Sequence, residues 1–126
     1  MKSNNRFHFQ NLRVWSKSVE VVKLVYQMST HFPSSEKYGL VSQMRRASVS
    51  ILSNIAEGNS RFKSKDRARF FEVAFSSTVE LQAQIVLCFE LKFIQEVDFQ
   101  KLVNMTQEIT KMLNGLHKHQ LKNQSA

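Results

Sequence analysis

The chain has 126 residues, 42% hydrophobic and 22% charged, with 18 lysines and arginines against 10 acids for a net charge of +8. That length suits one domain with a real core, and that composition excludes a disordered chain. One proline and three glycines are too few for the turns of a β-sandwich or barrel, and a lone cysteine, Cys88, excludes an internal disulfide framework or a multi-cysteine zinc site.

A first helix is predicted over residues 12–30, with Asn11 as its N-cap. Phe32-Pro33 stops it, because the residue before proline is pushed out of the helical region. Two apolar stripes run along it: Leu12, Trp15, Val19, Val22 and Tyr26, and beside them Val14, Val21, Val25, Met28 and Phe32. A second helix is predicted over 35–57, with Glu36 in the first turn and Gly58 as its C-terminal signal. Leu40, Met44, Ala47, Ile51 and Ile55 form its core stripe. Ser64 is the expected N-cap of a third helix over 65–91, on which Phe70, Ala74, Leu81, Ile85 and Cys88 share a face. A fourth, over 98–117, carries Leu102, Met105, Ile109, Met112 and Leu116, and the polar tail beyond Leu121 is expected to fray. Short connections between long helices favour antiparallel neighbours, so the expected fold is all-α, an up-down-up-down four-helix bundle in a single domain over 1–126. The apolar stripes are wider than a small bundle requires, which points to self-association. No stretch reaches ~18 uncharged apolar residues and Met1–Gln10 has no apolar h-region. A cytoplasmic protein that does not engage membranes is the expectation.

No catalytic set assembles from the sequence. Glycines at 39, 58 and 115 cannot make a phosphate-cradling loop, and the Glu-x-x-His pairs of a bundle-core di-iron site are missing. His117 and His119 are two apart and point away from each other on a helix, so no metal site is expected. Ser60-x-x-Lys63 lacks the companion motifs of a serine–lysine enzyme, and no arginine precedes a histidine at the spacing of small helical ribonucleases. Cys88 lies among apolar residues and reads as an inert core thiol. The expectation is a protein that is not an enzyme and takes no cofactor.

Charge is the positive signal. Residues 1–70 hold 13 basic and 4 acidic side chains, whereas 71–126 hold 5 and 6. Such asymmetry predicts an electropositive face that attracts polyanions. The densest part is the connection between the second and third helices, where Arg61, Lys63, Lys65, Arg67 and Arg69 alternate with Phe62, Ser64, Asp66 and Ala68. Several cations and one aromatic ring on a loop can hold phosphates and stack an unpaired base. Arg67 and Arg69 enter the third helix near its N-terminus, where the dipole disfavours cations, and this points to an external anion. Arg45, Arg13 and Lys17 are candidates to extend the patch.

The second helix carries a small polar face of Ser42, Arg46, Ser50, Ser53 and Glu57. Serine is a middling helix former, so these residues suggest close approach of another backbone, and the face is the candidate oligomer interface. Arg46 and Glu57 stand ~16 Å apart along the axis, so each is expected to find charge partners on other helices or subunits.

The stretch Tyr38-Gly39-Leu40-Val41-Ser42-Gln43-Met44-Arg45-Arg46-Ala47, continued by Ser53-Asn54-Ile55-Ala56-Glu57-Gly58, resembles the four-helix bundle proteins encoded in intervening sequences of 23S ribosomal RNA genes, often called S23 ribosomal proteins. Leu12 through Trp15 with Val25-Tyr26, Phe32-Pro33 with Glu36, and Glu80-Leu81 extend the similarity over about residues 7–118. The accessory variability protein of diversity-generating retroelements is similar. Leu52 stands where the family usually has proline, and Ser76 and Lys92 stand where it has glycine. The resemblance implies a bacterial four-helix bundle assembled as a homopentameric ring, with no established enzymatic activity. It implies RNA or DNA as partner, RNA preferred, through a basic surface. The alternative it implies is a protein-interaction module docking a reverse transcriptase.

Overall fold

A computed structural model describes residues 5–125. Among them are four α-helices and no strand: α1 (Arg13–Ser29), α2 (Leu40–Ser60), α3 (Ser64–Glu90) and α4 (Glu96–Ser125). Each helix packs on two others, in the closed order α1, α2, α3, α4 and back to α1. The all-helical expectation therefore holds, with four helices near their predicted positions.

The local starts and stops differ in instructive ways. Asn11 is not the cap of α1; it closes a short 3₁₀ turn (His8–Asn11), and Leu12 takes the N-cap position with no side-chain hydrogen bond. The turn is held from within, by Gln10 Oε1 accepting the backbone N–H groups of Arg6 and Phe7, both at 2.9 Å. At the other end Thr30 Oγ1 donates to the Tyr26 carbonyl at 2.8 Å, satisfying a group the helix leaves open. Helix α2 begins at Leu40 rather than near residue 35, because Ser34–Glu36 forms a separate 3₁₀ turn. Glu36 still serves the helix N-terminus: its Oε1 accepts the Leu40 N–H at 3.4 Å. The N-cap of α3 is Lys63, one residue before Ser64. Helix α4 starts two residues earlier than predicted, with Glu96 and Asp98 both where its dipole favours acids, and runs on to Ser125, past the predicted end at residue 117.

Gly58 does not end α2. It lies buried inside the last turn, and a Cβ there would come 2.8 Å from Phe71 Cε1. Glycine here permits close approach of α2 and α3, a packing need and not a conformational one. Where α3 does end, Lys92 takes the left-handed conformation at φ 64°. The Phe93 N–H returns to the Cys88 carbonyl at 2.9 Å and the Lys92 N–H to the Phe89 carbonyl at 3.0 Å, a Schellman stop built without glycine.

The core is one cluster. From α1 come Val14, Val21, Val25 and Met28, followed by Phe32 just beyond the helix, while the predicted neighbouring stripe, Leu12 to Tyr26, is half-buried or exposed. The whole predicted α2 stripe is buried. On α3 Phe71 is buried and Phe70 only partly so, while on α4 Leu113 joins Leu102 and Ile109 at full burial. Each such side chain contributes roughly 1.5–3 kcal/mol. Between α2 and α3, Met44 meets Cys88 (Sγ donating to Sδ at 3.2 Å), Ser50 meets Ser77 (2.9 Å between hydroxyls) and Gly58 meets Phe71. Phe89 stacked on Phe99 at 4.2 Å and Phe32 tilted on Phe93 at 5.3 Å close the end that holds the α3–α4 connection. No helix among the described residues is long and apolar enough to cross a membrane.

Candidate nucleic-acid interface

The link from α2 to α3 is three residues, Arg61, Phe62 and Lys63, and its brevity forces the cations of this region into different environments. Arg61 turns back on its own helix. Its Nη2 donates to Glu57 Oε2 at 2.9 Å and its guanidinium lies 4.6 Å from the Phe70 ring centroid. Arg67 reaches back one helix as well, its Nη1 donating to the carbonyls of Arg61 (3.1 Å) and Asn59 (3.5 Å). These are open carbonyls at the C-terminus of α2, where a dipole favours a cation. These contacts account for the Arg67 Nη1 group near the end of α2, whereas its Nε is buried without a hydrogen-bond partner.

Lys63, Lys65 and Arg69 are exposed, and the Phe62 ring is fully exposed between Arg61 and Lys63. Phe62 therefore covers no part of the core. Asp66 is the one acid within 61–69. The exposed set is an apolar ring bracketed by cations, on a short link between two packed helices.

The other candidates lie elsewhere. Lys17 sits between two acids, with Nζ 3.6 Å from Glu108 and 4.0 Å from Glu20, so its charge is locally balanced. Arg13 is exposed on the first turn of α1, beside a groove toward α4 that Lys111 also lines. The hydrogen bond of 2.9 Å between Asn59 Nδ2 and His8 Nδ1 ties the start of α1 to the end of α2, so Arg13 is at the same end of the molecule as the link. Arg45 is at the opposite end of α2, about 24 Å away along the helix axis. Its Nε donates to Ser29 Oγ at 2.9 Å, its Nη2 to the Tyr26 carbonyl at 3.3 Å, and its guanidinium covers the Tyr26 ring at 4.5 Å.

The small polar face of α2 divides too. Ser50 spends its hydroxyl on Ser77 of α3 and, with the Asn54 side chain, on its own helix. Within the chain Glu57 pairs with Arg61, four residues along and just past the end of its own helix. Ser53 and Arg46 are exposed, and Ser42 is half-buried. Ser42 and Arg46 line a groove of about 500 Å³ with Tyr26, Lys37, Tyr38 and Arg45. Sequence reasoning missed Lys37 and Tyr38 as site residues; the available signal was a second cation–aromatic pair just ahead of the helix that carries Arg45-Arg46. Cys88 is fully buried, and loss of solvent, reinforced by Glu36, pushes its thiol up to about 11.

The arrangement defines a small all-α bundle with cations and exposed rings at both ends of its second helix. The chain belongs to the family of 23S rRNA-intervening sequence proteins, whose family model matches residues 10–115. Among solved structures, a protein with unknown function from the S23 ribosomal protein family of Bacteroides thetaiotaomicron is similar, with a TM-score of 0.75 at 23% identity. The match covers 83% of this chain and 95% of that one, and the likeness is one of fold. No curated protein matches the chain.

Proposed function

We propose that this protein is a non-enzymatic nucleic-acid-binding or scaffold protein of the cytoplasm that works as a homo-oligomer and contacts RNA, or DNA, through Phe62, Lys63, Lys65 and Arg69. The observation that carries this reading is the full exposure of Phe62 between cations. A phenylalanine held in water adds nothing to the core, whereas a base stacked on it is worth about 1–3 kcal/mol. Family membership favours RNA. The contacts Met44–Cys88, Ser50–Ser77 and Gly58–Phe71, in which one number rises as the other falls, support antiparallel packing of α2 and α3, as an up-down-up-down course requires. Exposed Val73, Val79, Val86 and Leu87 on α3 support self-association. In the pentameric ring that the resemblance implies, five copies would present about +40 and repeat a weak contact five times.

Fluorescence-anisotropy titrations with a stem-loop RNA, a single-stranded RNA and duplex DNA at several salt concentrations test the reading. Replacing Lys63, Lys65 and Arg69 with glutamine should lower the slope of log K against log salt by about 2 on a single strand. Adding Phe62→Ala should weaken single-strand binding further. Helicity and particle mass should not change, since all four side chains are exposed. Unchanged affinity in the quadruple variant refutes the assignment.

A further inference from the structure

The groove at the start of α2 is unlike a solvated helix surface. Three cations line it, Lys37, Arg45 and Arg46, together with two tyrosine rings, and no acid does. Arg45 is already engaged within the chain: two of its N–H donors are committed to Ser29 and Tyr26, and its guanidinium carbon lies 4.5 Å from the Tyr26 ring centroid. That clasp has a structural purpose, joining the end of α1 to α2, and it explains Arg45 and Tyr26. It does not explain Tyr38, whose ring is 88% exposed, with the Lys37 ammonium 5.4 Å from its centroid. Nor does it explain Arg46, which is exposed beside the groove. Val41 and Val49 give the groove an apolar floor.

We propose that this groove is a second nucleic-acid site, taking an unpaired nucleotide whose base stacks on Tyr38 and whose phosphates meet Lys37 and Arg46. The inference rests on the nucleic-acid reading above, but on different residues at the other end of α2. The chemistry selects this occupant over other polyanions. An acidic peptide would satisfy the cations and leave the exposed ring without use, and a duplex keeps its bases stacked inside. A single strand offers both phosphate charge and a free aromatic face, and cations near an aromatic ring are compatible with such stacking. Arg45 acts as a positioning residue, holding the groove wall and adding a fixed positive charge.

The test uses the intact protein and four labelled probes: oligouridine, oligodeoxythymidine, a duplex, and polyglutamate as a polyanion without bases. Tyr38→Ala should weaken binding of the single strands by roughly 5- to 150-fold, the range for one stacked base. It should leave duplex and polyglutamate binding unchanged, and it removes no charge, so the salt slope should stay the same. Tyr38→Phe should bind as the wild type does. Arg46→Gln should instead reduce the single-strand salt slope by about 0.7. A greater loss on oligouridine than on oligodeoxythymidine, or the reverse, supports the site and identifies the strand it prefers. Equal loss on all four probes, or single-strand affinity retained in Tyr38→Ala, overturns the proposal. Wild-type protein that binds none of the nucleic acids overturns this site and the function proposed above together. A wild type that binds, with a Tyr38→Ala variant that matches it, overturns this site alone. Circular dichroism of Tyr38→Ala should be unaltered, because the ring contributes almost nothing to the core.

Discussion

Replacing Gly58 with alanine sets two effects of opposite sign against each other. In a helix interior alanine is favoured over glycine by about 1 kcal/mol, because glycine loses more backbone freedom on folding. At this position, however, the new methyl would stand 2.8 and 3.0 Å from two carbons of the Phe71 ring and 3.1 Å from Phe70 Cβ. Phe71 is 1% exposed, so its ring has no open side into which to turn. Accommodation must come from an off-rotamer ring or from separation of α2 and α3, at roughly 1–3 kcal/mol. Gly115→Ala is the internal reference, since nothing lies within 4 Å of a Cβ there and the propensity gain should appear undiminished. Urea unfolding followed by circular dichroism should therefore rank Gly115→Ala above the wild type by about 1 kcal/mol. Gly58→Ala should fall below Gly115→Ala by about 1–3 kcal/mol, with an unchanged denaturant slope. If both alanines stabilise equally, the close approach at Gly58 has no energetic weight and the account of α2–α3 packing fails.

Lys92→Gly should stabilise the protein by about 1 kcal/mol, because a left-handed L-residue carries a steric cost that glycine avoids; no gain in the same titration would count against the Schellman stop. Arg67→Gln should lose about 1 kcal/mol through its carbonyl contacts at the end of α2, while Arg69→Gln should stay within about 0.5 kcal/mol of the wild type. The reverse order would show that Arg67 is not the link's internal brace. For Cys88 the folded state holds the thiol protonated, raising its pKa from 9.0 to about 11. Its contribution is therefore present below pH 9, where neither state ionises, and is lost as pH rises toward the folded value and only the unfolded thiol gives up its proton. A fall in unfolding free energy over that window should be shallower in Cys88→Ala; identical pH profiles would refute burial of the thiol.

The helices themselves were legible because their apolar spacing is strong, and the α2 stripe from Leu40 to Ile55 is buried as its periodicity required. Choice between adjacent stripes was not legible: on α1 both Val14 to Phe32 and Leu12 to Tyr26 are apolar, and only the neighbours decide which faces inward. Phe70 and Phe71 pose the same ambiguity on α3, resolved by the space Gly58 leaves for the second ring. Gly58 itself was misread because a glycine near a helix end has the same composition whether it supplies a turn or a contact. For the site, the density of cations at 61–69 was visible, but their partners were not. Arg67 binds carbonyls at and just past the end of another helix, and Arg61 binds an acid one turn back. The charge pattern cannot distinguish such braces from the exposed Lys63, Lys65 and Arg69. The basic residues also look like one patch in the sequence, whereas the length of α2 sets Arg45 and Arg61 at opposite ends.

Helix α1 is the shortest of the four helices. Beyond its core stripe it is fastened by polar ties: His8 to Asn59 at its start, Lys17 to Glu108 along its length, and Tyr26 and Ser29 to Arg45 at its end. In hydrogen exchange such a helix should open as a unit before the α2–α3–α4 framework does. Its two terminal ties sit next to the two regions where cations meet exposed rings. Fluctuation of α1 would then release the Arg45 wall of one region and the Asn59 end of the other in a single event. A polyanion held at either end would slow that opening, and α1 would serve as the strut through which two separate surfaces sense each other.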